Sequence, residues 1–312
     1  MTIKKIVSFL PSATELIYEL ETQELLYGVT HDCKYPKEAQ DKPQVVNSII
    51  DSEKLSSNEI NTQTCQLLNE GKEIFVLNEE TLKEANPDLI ITQKTCEVCA
   101  VFTNQVEKAI HVLPKKPIVY SMDPHNLKEI LISIIEIGEL LEKSKKAEKI
   151  RIGLEKRILH VKKNLFKEKP RVLAIEWIEP FFTAGHWIPE MIEFAGGINL
   201  ISKKGEHSRK IDIQEISKSD PEIIILMPCG FNSKRTITEY SSILKDNPDW
   251  SNLRAVKNKK IFAVDANSFF SKPSIRTITG LEILAKIIQP EFFVNVSIPN
   301  GSCYYVMEFT EV

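Results

Sequence analysis

The sequence predicts an α/β protein of two lobes, each built on a parallel sheet, joined by a helix and opening a ligand cleft between them. Three observations predict it. Short β-branched runs alternate with stretches of helical periodicity, the rhythm of a parallel sheet with crossover helices. The alternation stops in one long helical stretch and restarts after Pro170. Finally, ANPDLIITQKTC in the first half and SDPEIIILMPC in the second share one order: Pro, an acid, at least three apolar residues, then a loop with Cys. Two similarly built lobes would leave such an echo.

Taken in order, each apolar run ends in a polar or aromatic loop. KIVSFL precedes PSATE, LLYGVT precedes HDCKYP, DLIIT precedes QKTCEVC, and PIVYS precedes MDPHN. Asp123 then reads as an N-cap with Pro124 at the first helical position, and Leu127, Ile130, Leu131 and Ile134 mark one apolar stripe. A second helix is predicted from about Lys145 to Phe166, with Ile150, Leu154, Ile158, Val161 and Leu165 on its buried side. Beyond Pro170, RVLAIEW precedes IEPFFTAGHW, PEIIILM precedes PCGF, and KIFAVD precedes ANSFFSKPS. The domain reading is a first lobe over 1–125, a helical connection over 126–168, a second lobe over 169–290 and a tail over 291–312.

Composition narrows the function. With 312 residues and 42% hydrophobic content, the chain can bury two moderate cores. A net charge of −3 points to no polyanionic partner, and the Lys-rich EKSKKAEKIRIGLEKRILHVKK interleaves its bases with Glu and apolar residues as a solvated helix face does. Nucleic acid is therefore not expected as a partner. Neither G-x-G-x-x-G nor G-x-x-x-x-G-K occurs, which removes the phosphate-cradling loops. The longest apolar candidate for a membrane span, LKEILISIIEIGELL, is broken by Glu129, Glu136 and Glu139 and falls short of the roughly 18 apolar residues a span needs. After Lys4 and Lys5 the run IVSFL stops at Pro11, with no signal-peptide core, and this predicts a cytoplasmic protein.

In parallel α/β sheets, ligands bind outside the carboxyl ends of the strands. The loops carrying Cys33, Cys96, Cys99, Trp177, His186, Trp187, Cys229 and Phe269 all lie at such ends. Trp177, Phe181, Phe182, Trp187, Phe269 and Phe270 supply flat apolar walls when they line a cleft, and core when they do not. His186 follows Ala-Gly, which allows close backbone approach to a ligand; its imidazole, like that of His31, either binds metal or bonds its own loop. Ser12 and Thr14 cap a helix or donate to ligand, since no G-x-S-x-G surrounds Ser12. Asp32, Glu97, Glu176 and Glu179 establish no acid/base pair by spacing alone. Cys33, Cys96, Cys99 and Cys229 are either small buried hydrophobes or a four-thiol set that suits zinc or an iron–sulfur cluster. In a reducing compartment Cys96 and Cys99 are expected to stay reduced. Cys65 and Cys303 fall elsewhere, on a helix and in the tail.

At these residues a resemblance becomes specific. KIVSFLPSATELIYEL, GVTHDCKYP, DLIITQKTCEVCAV, EWIEPFFTAGHWIPEMIEFAGG, PEIIILMPCGF and VDANSFFSKPSIRTITGLEIL resemble, in order, the cobalamin-binding branch of the helix-linked substrate-binding proteins of ABC importers, in its leaderless, Cys-rich subgroup. The resemblance implies two Rossmann-like lobes, a rigid linking helix and one ligand held with little hinge motion. It implies binding and not catalysis, with cobalamin or a similar metal-chelate small molecule as ligand. Pro11, Tyr35, Glu97, Phe231 and Arg276, in the same loops, join Ser12, Thr14, His31, Trp177, Phe182, His186, Trp187, Phe269 and Phe270 as the expected ligand-binding set. Exported relatives meet a permease outside the membrane, so the cytoplasmic reading counts against an ABC permease as partner. Where the subgroup has Pro-Gly-Pro-Arg, this chain has KPSIR, which keeps Pro273 and Arg276 and is expected to loosen that turn.

Overall fold

The computed structural model describes residues 2–93, 103–164, 167–308 and 310–312, with only the backbone at 103 and 104. The runs read as strands form strands. The first sheet holds β1 (Ile6–Ser8), β2 (Leu26–Thr30), β3 (Gln44–Ser48), β4 (Phe75–Leu77), β5 (Leu89–Gln93) and β6 (Ile118–Met122). Their spatial order is β4-β3-β2-β1-β5-β6, parallel except for the antiparallel β3–β4 edge. Around them lie α1 (Pro11–Glu19), α2 (Ser57–Asn69), α3 (Glu79–Ala85), α4 (Thr103–Val112) and α5 (Leu127–Leu140). β1 and β5 pair side by side although three strands separate them in sequence, so the direction of winding reverses at their carboxyl ends. That reversal opens a crevice in a doubly wound sheet.

The second sheet holds β7 (Arg171–Trp177), β8 (Phe182–Thr183), β9 (Ile198–Asn199), β10 (Ile223–Leu226), β11 (Ile261–Val264), β12 (Cys303–Tyr305) and β13 (Thr310–Glu311). Its order is β13-β12-β11-β10-β7-β8, with β9 paired to β7. β9-β7-β10-β11 are parallel, while β8, β12 and β13 join as antiparallel edges. Every residue of β10 and β11 is buried, as the continuous apolar runs IIIL and IFAV require of strands covered on both faces. The helices of this half of the chain are α7 (Ile188–Phe194), α8 (Ile213–Ser219), α9 (Ser233–Ile243), α10 (Pro248–Ser251), α11 (Arg254–Lys257), α12 (Ala266–Phe269) and α13 (Thr277–Ile288), and α6 (Ser144–Lys162) precedes β7. Within the stretch read as a tail, residues 303–305 and 310–311 pair onto this sheet.

The chain divides into two compact units: Met1–Leu55 with Thr62–Pro124 and Lys128–Ile152, and Gly153–Val312 with Ser56–Asn61 and His125–Leu127. The division falls inside α6, where Leu154, Ile158 and Val161 are buried as their spacing predicts, Ile150 is only partly buried, and Leu165 lies outside the described residues. Separate cores result. In the first, Val7, Phe9, Val45, Leu82 and Ile90 pack together; in the second, Trp250 sits fully buried among Leu173, Ile175, Tyr240 and Ile261. Among the described residues, no helix is long and apolar enough to cross a membrane.

One helix start differs from its sequence reading. The stripe Leu127, Ile130, Leu131 and Ile134 is buried as expected, yet α5 begins at Leu127, three residues past Pro124. The cap is tertiary: the Leu127 N–H donates to Glu190 Oε2 of α7 at 3.1 Å, and the Lys204 ammonium pairs with the other carboxylate oxygen. Glu190 is only 5% exposed. A buried carboxylate facing a helix N-terminus satisfies an orphan donor and the helix dipole together. Replacing Glu190 by Ala should cost about 1–3 kcal/mol, read as a lower urea midpoint at unchanged slope. Glu190→Gln, which still accepts from Leu127, should lose less; equal losses would show that the cap contributes nothing.

Candidate functional site

In the second unit the β7–β10 ladder continues past its strands. The Met227 N–H donates to the Ile175 carbonyl at 2.8 Å, and the Cys229 N–H to that of Glu176 at 3.0 Å. This brings Trp177 edge-on to Phe231 with ring centroids 5.4 Å apart, and the Arg235 guanidinium lies over the Phe231 ring at 3.5 Å. The Trp177 indole N–H donates to the Ser57 carbonyl at 3.2 Å. From the end of β11, Phe269 and Phe270 are buried, and the Phe270 carbonyl accepts from the Trp187 indole N–H at 3.1 Å. Arg276 lies 5.7 Å from the Phe269 ring. Trp177, Trp187, Cys229, Phe231, Phe269 and Phe270 thus share one edge of the second sheet.

Two aromatic expectations separate here. Phe181 turns into the core and stacks on Trp250 at 5.7 Å, the packing alternative for that ring. Phe182, part-buried, belongs to β8 and is paired with Trp177. The KPSIR turn is stitched and not loosened: Thr277 Oγ1 donates to the Lys272 carbonyl and accepts from the Ser274 N–H, while Ser274 Oγ accepts from the Arg276 N–H. Hydroxyls replace the conformational restriction that Pro-Gly-Pro would supply.

The Ala-Gly-His segment is where the sequence reading missed most. A Cβ on Gly185 would lie 2.5 Å from the Ser208 nitrogen and 2.6 Å from the Glu206 carbonyl oxygen, so the close approach is to the chain's own 206–208 segment. Backbone bonds tie the two segments: His186 N–H to the Glu206 carbonyl at 2.7 Å and Gly205 N–H to the His186 carbonyl at 2.9 Å. They hold His186 at φ +54°, a left-handed conformation that disfavours a side chain. His186 Nδ1 is 3.4 Å from His125 Nδ1, and the His207 ring stands edge-on to both. Nothing in the sequence singles out His125 or His207, because they come from separate loops.

Beneath this segment lies Glu176. Desolvation pushes its carboxyl above the ordinary range, opposed by hydrogen bonds from the Ser208 hydroxyl and the Gly185 N–H. Cys229, part-exposed, is three residues past β10.

In the first unit, Pro11 is the first residue of α1, but Leu10 is the N-cap and makes no side-chain bond. Ser12 and Thr14 are therefore not caps. Ser12 Oγ is buried without a partner, whereas Thr14 Oγ1 lies 3.1 Å from Cys33 Sγ, with Thr30 Oγ1 at 3.4 Å on the same sulfur. Cys33 is 2% exposed, and burial pushes its thiol up despite those hydroxyls. A neutral, buried thiol is a poor metal ligand. His31 bonds the neighbouring strand, its N–H to the Val46 carbonyl at 3.0 Å and Nδ1 3.4 Å from the same oxygen; Tyr35 is half exposed. Glu97, Cys96 and Cys99 lie outside the described residues. Cys33, Cys65, Cys229 and Cys303 form no disulfide among the described residues.

Strand-end loops of this kind, on mainly parallel sheets, invite comparison with known binding proteins. Residues 6–268 match the model of a family described as periplasmic binding protein. The chain belongs to that family. It is 26% identical over 298 residues, 93% of this chain and 81% of the other, to the uncharacterized ABC transporter substrate-binding lipoprotein YvrC of Bacillus subtilis. Two solved structures share the fold. The vitamin B12-binding protein BtuF of Vibrio cholerae superposes with TM-score 0.65 at 19% identity, covering 92% of this chain and 97% of that one. The haem complex of Staphylococcus aureus IsdE gives 0.67 at 18%, covering 91% and 98%.

These relatives overturn the cytoplasmic expectation: periplasmic binding proteins and substrate-binding lipoproteins act outside the cytoplasm. A short apolar run near the first residue was too weak a sign to carry that reading. The reducing compartment that would keep Cys96 and Cys99 as thiols falls with it, as does the ground for discounting an ABC permease.

Two outcomes test the site's construction. Gly185→Ala must push the 206–208 backbone away and should cost about 1–3 kcal/mol, with the His186 and His207 rings moved apart in a crystal structure of the variant. An unchanged melting temperature would refute the close approach. Because the Glu176 carboxyl is raised, its contribution is full below the ordinary glutamate range and is lost as pH rises through the folded-state value. Glu176→Gln should therefore gain stability over wild type on going from acid to neutral pH, measured by urea titration at several pH values; a constant difference would remove the effect.

Proposed function

We propose that this chain captures a metal tetrapyrrole, a corrinoid such as cobalamin or else a haem, on its strand-end loops and presents it to an ABC permease. The observation that carries the reading is the strand-end edge of the second sheet, where the part-exposed Trp177 packs on the buried Phe231 and the indole of Trp187, the residue after His186, bonds the Phe270 carbonyl. A macrocycle is broad, flat and mostly apolar, so it needs aromatic walls and few polar groups, while its metal can accept an imidazole. The motif order favours a corrinoid. The ligands of the structural relatives, vitamin B12 and haem, support the class. Family membership and the substrate-binding lipoprotein relative support the permease partner. In the first unit, Pro11, Ser12, Thr14, His31 and Tyr35 occupy the equivalent strand ends, and Ser12 Oγ, buried without a partner, offers a hydrogen bond. A cysteine-ligated zinc or iron–sulfur reading has less support, since Cys33 is bound by two hydroxyls in apolar surroundings.

Calorimetric and spectral titration with cyanocobalamin, hydroxocobalamin and haemin tests the proposal. One of the three should saturate a single site with a shift of its visible bands and quenching of tryptophan fluorescence. Trp177→Ala should weaken that ligand by about tenfold, the worth of one aromatic wall. No heat and no spectral change with any of them at high micromolar concentration would sink the reading.

A further inference from the structure

We propose that His125, His186 and His207 form a site for a free divalent transition-metal ion of the zinc or nickel type. Three imidazoles from separate segments meet within the second unit. His125 precedes α5, His186 lies between β8 and α7, and His207 belongs to the segment that crosses Gly185.

The spacing is that of ligands. Two nitrogens on one tetrahedral zinc at Zn–N of about 2.0–2.1 Å stand roughly 3.3–3.4 Å apart. His125 Nδ1 and His186 Nδ1 stand 3.4 Å apart as a hydrogen-bonded pair, and an ion between them would displace the proton they share. Ring centroids of His207 lie 4.9 Å from His186 and 5.5 Å from His125, both edge-on. Among the described residues no three donors already converge as a complete metal set. The ion therefore recruits His207, whose exposed side chain can turn its ring toward the other two at the cost of side-chain entropy.

The backbone is built for this meeting. Gly185 alone permits the approach of the 206–208 segment, and the bonds to Glu206 and Gly205 hold His186 in a left-handed conformation that a side chain adopts only when its surroundings impose it. Neutral imidazole is a preferred donor for zinc, nickel and copper, and no thiol of the described residues belongs to the cluster. Among the described residues, the segment that carries His207 also holds Lys203, paired with Glu206, and Lys204, paired with Glu190. The ion site and the proposed tetrapyrrole would share His186, so the two ligands would compete for its imidazole; the ion site does not rest on the tetrapyrrole reading, because an axial position on a macrocyclic metal uses one histidine and not three.

The test uses metal-free full-length protein without an affinity tag, titrated calorimetrically with zinc chloride and nickel chloride in two buffers of different ionisation enthalpy. One equivalent should bind saturably, raise the melting temperature and release protons to the buffer. His207→Ala, at an exposed position, and His186→Asn, which tolerates the left-handed backbone, should each weaken binding about tenfold or more. His160→Ala, on the exposed face of α6, should leave it unchanged. Cobalt loading should give imidazole-type visible bands without thiolate charge transfer. No saturable binding, unchanged affinity in the His186 and His207 variants, or thiolate bands would each overturn the site. Tetrapyrrole binding alongside any of those results would leave the proposed function standing and remove only the ion site.

Discussion

The in-register parallel pairing of β7 with β10 is the constraint on which the second unit depends. Val172, Leu173, Ala174 and Ile175 face Ile223, Ile224, Ile225 and Leu226, and all eight are buried. A backbone buried on both faces must find every hydrogen bond within the sheet, which fixes register without slack. The two bonds beyond the strands carry that register into the loops and decide which side chains meet there: Trp177 with Phe231, and Glu176 beneath the Gly185 turn. The aromatic edge is thus a consequence of the core and not a separate feature added to it.

The same logic explains why an energetically awkward residue persists at position 186. The αL backbone and the desolvated Glu176 are both unfavourable taken singly, and each is compensated by bonds to the 205–208 segment. Local rules fail together at one place, and that place is where the loops of the sheet converge. At the Asn78, Asp212, Asn232 and Asn247 helix caps, by contrast, local preference and tertiary structure agree.

Much of this was legible in the sequence. Apolar runs bounded by loops marked the central parallel strands except the polar-flanked β3, and helical spacing marked the buried faces of α5 and α6. The short antiparallel additions β4, β8, β12 and β13 were not legible, because two or three residues carry no periodicity. The start of α5 escaped for a different reason: its cap, Glu190, is 63 residues away in sequence. Gly185 was recognisable as a point of close approach, but which surface approaches is a tertiary fact. His125 and His207 were invisible for that reason too. The six aromatics could not be sorted by type, since a ring stacked in the core and a ring at the sheet edge, Phe181 and Trp177, look alike in one dimension.

The terminal β12–β13 hairpin has a consequence for handling the protein. It lies along β11, pairing Phe262, Ala263 and Val264 with Tyr305, Tyr304 and Cys303, and buries the Cys303 side chain there. β13, two residues long and exposed, then forms the outermost rung. An outer strand that short offers little backbone for a second molecule to pair with, whereas the apolar β11 beneath it would be an open template. A chain cut before Cys303 would bare Ile261–Val264 to edge-to-edge association, so β12 and β13 act as a selvedge that keeps the sheet from joining its neighbours.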